Sequence, residues 1–234
     1  MLLLLGYIED DAMNNIYDVL QAIFIGLVVA TFLLDTGRAL KGIGICKECL
    51  IFLNNQVLKT EGEILYSLYI GIYGTIFRAY CLIPDHTKVL IYGRKLLDIY
   101  RECGKKKEEG NFTVKLANIY RQQYKYLEAR ELYEKASTIT KEMGDKKNEA
   151  YTDEMAGHIS YYLGDYDKAK EYLKKALAIR LQIGDKNGEA CSYGNLGTVF
   201  TSLGEYDKAK EYLDKALAIR IQIGDKDGDR KSVV

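Results

Sequence analysis

From Tyr206 to Ile223 apolar residues return every three or four positions, at Ala209, Tyr212, Leu213, Ala216, Leu217 and Ile219, and so share one stripe of an α-helix. Lys208, Glu211, Asp214 and Lys215 take the opposite face, with Glu211 and Lys215 at the i,i+4 spacing that supports an exposed helix weakly. The pattern predicts a second helix over 206–223 and a first one over about 188–203, with Gly204-Glu205 as the break, where glycine eases the turn. No two-residue alternation competes with this reading.

The same polar and apolar order is written twice. YDKAKEYLKKALAIRLQIGDKNG from Tyr166 returns 40 residues later from Tyr206 with three of its 23 positions changed. The register extends upstream: Tyr126, Ala129 and Ala136 precede Tyr166, Ala169 and Ala176 by the same step, and Gly144-Asp145-Lys146 precedes Gly184-Asp185-Lys186. A more divergent copy ends at Gly104-Lys105-Lys106, and Thr31-Phe32-Leu33 through Arg38-Ala39 echoes a still older one. The organisation expected is a hydrophobic, degenerate unit within 1–60, a divergent unit over 61–104, three units over 110–144, 148–184 and 188–224, and a truncated start of a further unit or tail over 225–234. A helix pair of this size cannot bury its apolar stripe alone, so neighbours must cover it; the fold expected is an all-α solenoid of stacked antiparallel helix pairs.

The run Tyr193-x-x-Leu196-Gly197-x-x-Phe200, followed by Gly204, Tyr206, Ala209-x-x-x-Leu213 and Ala216, resembles the tetratricopeptide repeat. The 40-residue unit closing on Gly-Asp-Lys, with Gly194 to Gly197 reading GNLG, is similar to the repeats of LGN/Pins-type cortical scaffold proteins. The resemblance is strong over about 110–226 and implies a right-handed superhelix in which small residues such as Gly197, Ala209 and Ala216 let helices approach closely. It also implies that the first helices of successive units line a concave groove for an extended peptide of a signalling or cytoskeletal protein.

Carried over position by position, the groove residues are Arg78, Asn118, His158 and Thr198, then Cys81, Arg121, Tyr161 and Thr201 one turn on, with Glu154 and Asn195 completing the set. Arg offers a planar fork of donors and Asn a donor–acceptor pair, which suits carboxylates or peptide carbonyls and favours an acidic segment. The competing expectation is that Arg78 and Arg121 pair with the chain's own acids, such as Glu154. Thr198 stands where LGN-like repeats carry a second Asn, and Asp153 and Ser160 replace large groove-backing residues. The Lys and Asn set that clamps chaperone tails is missing, so heat-shock tails are disfavoured.

Val19 to Leu34 carries no charge, but its 16 residues fall short of the ~18–20 that a membrane-spanning helix needs. It is expected to be an internal helix buried on most faces. Met1–Leu5 is apolar but lacks a basic start and runs into Glu9-Asp10-Asp11, a poor secretory signal. The 33 basic and 33 acidic residues cancel, which argues against nucleic acid as a partner. Five scattered cysteines point to a reducing, cytoplasmic setting rather than a disulfide framework. Cys46-x-x-Cys49 has no matching half-site for a structural zinc, and Asp225 to Asp229 departs from a calcium loop in its glycine spacing. With two distant histidines, His86 and His158, and no phosphate-cradling glycine loop, neither catalysis nor a cofactor is expected. The reading is an adaptor that binds a protein or peptide partner, with self-association through the last unit open to it. The alternatives are a membrane-tethered or sensor-type protein, or a piece of a longer array.

Overall fold

The structure, a computed structural model, describes residues 16–55, 62–83 and 85–231. The apolar opening Met1–Leu5 and Pro84 lie outside the described residues, as do the side chains of Asp225 to Asp229. Among the described residues there are ten helices and no strand: α1 (Ile16–Asp35), α2 (Ala39–Asn55), α3 (Glu63–Leu82), α4 (His86–Glu102), α5 (Lys106–Gln122), α6 (Tyr126–Glu142), α7 (Lys146–Tyr162), α8 (Tyr166–Ile183), α9 (Lys186–Ser202) and α10 (Tyr206–Lys231). Two compact units, 1–109 and 110–234, divide the chain.

The Gly-Asp pairs that punctuate the repeat have separate tasks. Gly184 ends α8 in the left-handed region, at φ 69°, and donates its N–H to carbonyls of the last turn. Asp185 then starts α9 by accepting from the Gly188 N–H at 3.0 Å, satisfying one of the amides that a helix start leaves without an intrahelical partner. Asp85, Asp145 and Asp165 cap α4, α7 and α8 in the same way. The last unit departs from this: α10 runs through Gly224 to Lys231 instead of stopping at Ile223.

In the first unit α1 packs on α2 and α3, and α3 on α2 and α4. Val19, Ile23, Ala30 and Leu34 are buried on the inner face of α1, whereas Phe24, Val28 and Phe32 stand exposed. The expectation of burial on most faces is thereby corrected: two neighbouring helices cover one face only. Among the described residues no helix is long and apolar enough to cross a membrane. Cys46 and Cys49 are buried small side chains of α2, and burial pushes their thiols up to about 12 and about 11. A Cβ on Gly26 would come within 2.6 Å of the Cys49 sulfur, so glycine there sets the close approach of α1 and α2.

The second unit repeats one packing scheme. Successive helices from α6 to α10 contact each other. A Cβ on Gly157 would lie 2.8 Å from Leu173 Cγ, and one on Gly197 would lie 2.7 Å from Leu213 Cγ and 3.3 Å from the Ala209 carbonyl oxygen, the close approach that the small residues predict. The divergent pair α3/α4 and the last pair α9/α10 share a ring cluster. Tyr80 stacks on Tyr92 at 5.3 Å as Phe200 does on Tyr212 at 5.1 Å, and Lys95 and Lys215 lie over the corresponding rings.

Candidate functional site

His158 and Tyr161 rise from α7 one turn apart, and Asn195 and Thr198 occupy the corresponding stretch of α9. These four come together, with Tyr162, around a cleft of about 150 Å³ floored by Leu173 and Val199. His158, Tyr161 and Asn195 are half-buried and Thr198 is exposed. The Tyr161 hydroxyl lies 3.1 Å from Ser202 Oγ, which ties one wall to α9, and the Thr198 hydroxyl donates to the Gly194 carbonyl at 3.1 Å. A half-open cleft of this composition offers an imidazole, a phenol, a carboxamide and an alcohol over an apolar floor, enough to orient one side chain and neighbouring peptide groups.

Glu154 sits behind this cleft rather than on its surface. It is buried, and its carboxylate accepts from the Arg180 guanidinium of α8 on one oxygen and from Asn195 Nδ2 of α9, at 2.8 Å, on the other. Asn195 is thus held by a charge that Arg180 balances, so the acid steadies the cleft wall. Asp153, next in sequence, is also buried and accepts from Ser137 Oγ at 2.6 Å; burial raises its pKa, and the Ser137 hydrogen bond opposes that rise. Ser160 is fully buried on the same helix.

Asn118 and Arg121, expected in the same groove, are not among the residues that line the cleft. Asn118, on α5, accepts from the Tyr133 hydroxyl at 2.8 Å. Burial pushes the Tyr133 phenol up to about 12, with Arg121 beside it acting in the opposite direction. In the first unit Arg78 pairs with Asp35 at 3.3 Å, both side chains more than half exposed, a contact worth roughly 0–1 kcal/mol. Arg78 therefore does pair with one of the chain's own acids, Asp35, whereas the partner of Glu154 is Arg180 and not Arg78 or Arg121.

Of the tyrosines at the turns beside the cleft, sequence reasoning picked out Tyr161 but not Tyr124 or Tyr162. Tyr124 packs edge-on to Tyr126 at 6.2 Å, Tyr126 stacks on Tyr162 at 5.5 Å, Tyr162 meets Tyr161 at 5.9 Å, and Tyr161 meets Tyr166 at 5.6 Å. Tyr124 has φ 58°, the one positive value outside glycine among the described residues. Its counterparts 40 and 80 residues on are Gly164 and Gly204, both at φ 75°. A side chain in this region costs roughly 1–3 kcal/mol unless its surroundings compensate. Tyr124 is 79% exposed, so burial does not compensate it. The signal was available in the register, as tyrosine where the two following units place glycine.

Residues 114–143 and 148–222 each match a tetratricopeptide repeat family model. No curated protein sequence matches the chain. Among solved structures, the BtubC (BKLC) protein of P. vanneervenii aligns over 88% of this chain and 82% of its own length with 23% identity and a TM-score of 0.62. The nearly identical TPR-like repeats of a putative kinesin light chain from Podosopora anserina align over 86% of this chain and 96% of theirs, with 15% identity and a TM-score of 0.60. A signal transduction ATPase with numerous domains and a tetratricopeptide repeat sensor, from Pyrococcus horikoshii, aligns over 86% of this chain and 31% of its own, with 18% identity and a TM-score of 0.59. The chain carries tetratricopeptide repeats over the matched residues, and its fold is the stacked helix pair of such solenoids. Repeats of this kind generally serve as protein-interaction modules and scaffolds.

Proposed function

We propose that this chain is a cytoplasmic interaction scaffold, without catalytic activity of its own, that holds an extended peptide segment of a partner protein across α7 and α9. The observation that carries the reading is the cleft in which His158, Tyr161, Asn195 and Thr198 converge. Their mixture of donors and acceptors suits a peptide main chain, whose carbonyl and N–H groups must stay paired when covered. One partner side chain enters the cleft. Asn118 and Arg121 hold the equivalent register on α5, and the Arg121 guanidinium favours a segment that carries carboxylates. The free state of all five cysteines supports a reducing compartment. The 40-residue Gly-Asp-Lys unit, similar to that of LGN/Pins-type scaffolds, supports a role in signalling or cytoskeletal assembly.

The test is affinity capture with mass spectrometry on the intact chain beside Thr198→Arg, which places a long side chain at the cleft mouth. Circular dichroism checks that both are equally helical. Specific partners that the variant loses establish the cleft and name the function, whereas an unchanged set of captured proteins rules the cleft out. Arg78→Glu/Arg121→Glu, run in parallel, tests the acidic preference alone.

A further inference from the structure

Two polar groups of the cleft already have their donors engaged within the protein. Asn195 turns Nδ2 to the buried Glu154 carboxylate at 2.8 Å, which leaves its carboxamide oxygen on the branch away from that acid, with no donor to it among the described residues. Thr198 donates its only hydroxyl proton to the Gly194 carbonyl at 3.1 Å, so toward a ligand it acts as an acceptor. The cleft wall formed by α9 therefore presents acceptors. No lysine or arginine lines the cleft. The cations of the surrounding helices have partners elsewhere: Arg180 is held by Glu154, Lys168 by Asp165, Lys170 by Asp167, and Lys125 lies over the Tyr120 ring.

The opposite wall is aromatic. Tyr161 and Tyr162 meet at 71°, so their planes form a corner. One face of Tyr162 stacks on Tyr126, and with the residue 62% exposed the other stays open. Ring pairs elsewhere in the chain carry cations on their faces: Lys88 over Tyr80 at 5.4 Å and Lys95 over Tyr92 at 5.8 Å, and Lys208 over Phe200 at 5.6 Å and Lys215 over Tyr212 at 5.5 Å. Among the described residues no lysine or arginine takes that place over Tyr161 or Tyr162.

We propose that the partner side chain held in this cleft is an arginine. Its planar guanidinium lies in the Tyr161–Tyr162 corner, where the ring faces attract a cation, and donates to the Asn195 and Thr198 oxygens, which sit one turn apart on α9. Its methylene stem covers the apolar floor of Leu173 and Val199. A carboxylate in the same place would set acceptors against acceptors, and an aliphatic side chain would cover both oxygens without pairing them. This arginine site rests on the cleft reading and names the side chain that enters. The carboxylates that Arg121 favours belong to other positions of the same segment.

The experiment is an NMR titration of the full, 15N-labelled chain with acetyl-glycyl-arginyl-glycinamide, its neutral citrulline analogue and its glutamate analogue. It is repeated with Tyr162→Leu and Thr198→Val, and Tm is recorded for all three proteins. The arginine peptide is expected to bind about tenfold more tightly than the citrulline peptide, which has nearly the same shape without the charge, and the glutamate peptide not to bind. Tyr162→Leu is expected to remove most of the preference for arginine over citrulline, and Thr198→Val to weaken the arginine peptide several-fold. If Tyr162→Leu lowers Tm, Thr198→Val, at an exposed position, decides alone. Citrulline or glutamate binding as well as arginine overturns the proposal, and so does an arginine peptide that binds Thr198→Val as tightly as the parent, since it then sits elsewhere on the surface. If Thr198→Arg loses the captured partners while no preference for arginine is seen, the cleft stands and its occupant is not an arginine. If the arginine preference depends on Tyr162 and Thr198 while Thr198→Arg keeps every captured protein, the arginine site stands and the captured partners bind elsewhere.

Discussion

Helices α8 and α10 begin with nearly the same residues and end in different circumstances. Leu173 and Leu177 of α8 are 1% and 9% exposed, whereas their counterparts Leu213 and Leu217 of α10 are 44% and 57% exposed. Arg180 is buried against Glu154, while Arg220 faces Gly194, with a guanidinium nitrogen 3.7 Å from where a Cβ there would sit. At Gly184 the chain turns left-handed and stops the helix; at Gly224 it continues to Lys231. The difference between the two is α9, which packs on α8 and has no counterpart packed on α10 among the described residues. A repeat sequence therefore specifies a helix and its apolar stripe, but the neighbour decides whether that stripe is core or surface.

The most sensitive test of this contrast lies in the buried ion pair. Glu154→Ala leaves the Arg180 charge buried without its carboxylate and is expected to cost about 3–5 kcal/mol in urea unfolding. Arg220→Ala, at the equivalent position of α10, is expected to stay within about 0.5 kcal/mol. Equal costs at the two sites would break the comparison.

Next in size are the leucines. Leu173→Ala empties a site closed on both sides and is expected to cost about 2–5 kcal/mol, against less than about 1.5 kcal/mol for Leu213→Ala. The glycines beneath them sharpen the point, because the clash that an added methyl meets is the same in both: 2.8 Å to Leu173 Cγ from position 157, and 2.7 Å to Leu213 Cγ from position 197. Leu213 can swing toward solvent and Leu173 cannot. Gly157→Ala is therefore expected to cost about 1–3 kcal/mol, while at Gly197 the gain in helix propensity of about 1 kcal/mol offsets what strain remains. Thermal melts of the two single variants check the ordering.

These contrasts also mark what the chain reveals before its structure. The repeat step, the break at Gly204 and the close approach at Gly197 and Ala209 follow from local pattern, and so does the grouping of His158, Tyr161, Asn195 and Thr198 on successive first helices. The role of Glu154 does not. Arg180 and Arg220 stand in the same local sequence, and only the residue one helix back, Glu154 or Gly194, separates a buried pair from an exposed cation. The exposed face of α1 was hidden for a related reason: Phe24, Val28 and Phe32 are as apolar as Ile23 and Ala30, and only the number of neighbouring helices tells them apart. Tyr124 was legible in principle, because a bulky residue at a glycine position of the repeat breaks a local rule without a local gain.

The smallest effect is also the one whose sign differs between the two helices. Gly184 holds φ 69°, so Ala there must take a left-handed conformation or shift the start of α9, and a loss of about 1 kcal/mol is expected. Gly224 lies within α10, with nothing within 4 Å of an added Cβ, and Ala there should raise helix propensity by up to about 1 kcal/mol. The two substitutions delete the same glycine of the same Gly-Asp-Lys motif, so motif chemistry alone predicts the same sign. If urea unfolding shows Gly184→Ala destabilised and Gly224→Ala stabilised, the stop at Gly184 belongs to the docked α9 and not to the motif. If both lose stability, the motif itself ends the helix and α10 stops near Ile223 in solution.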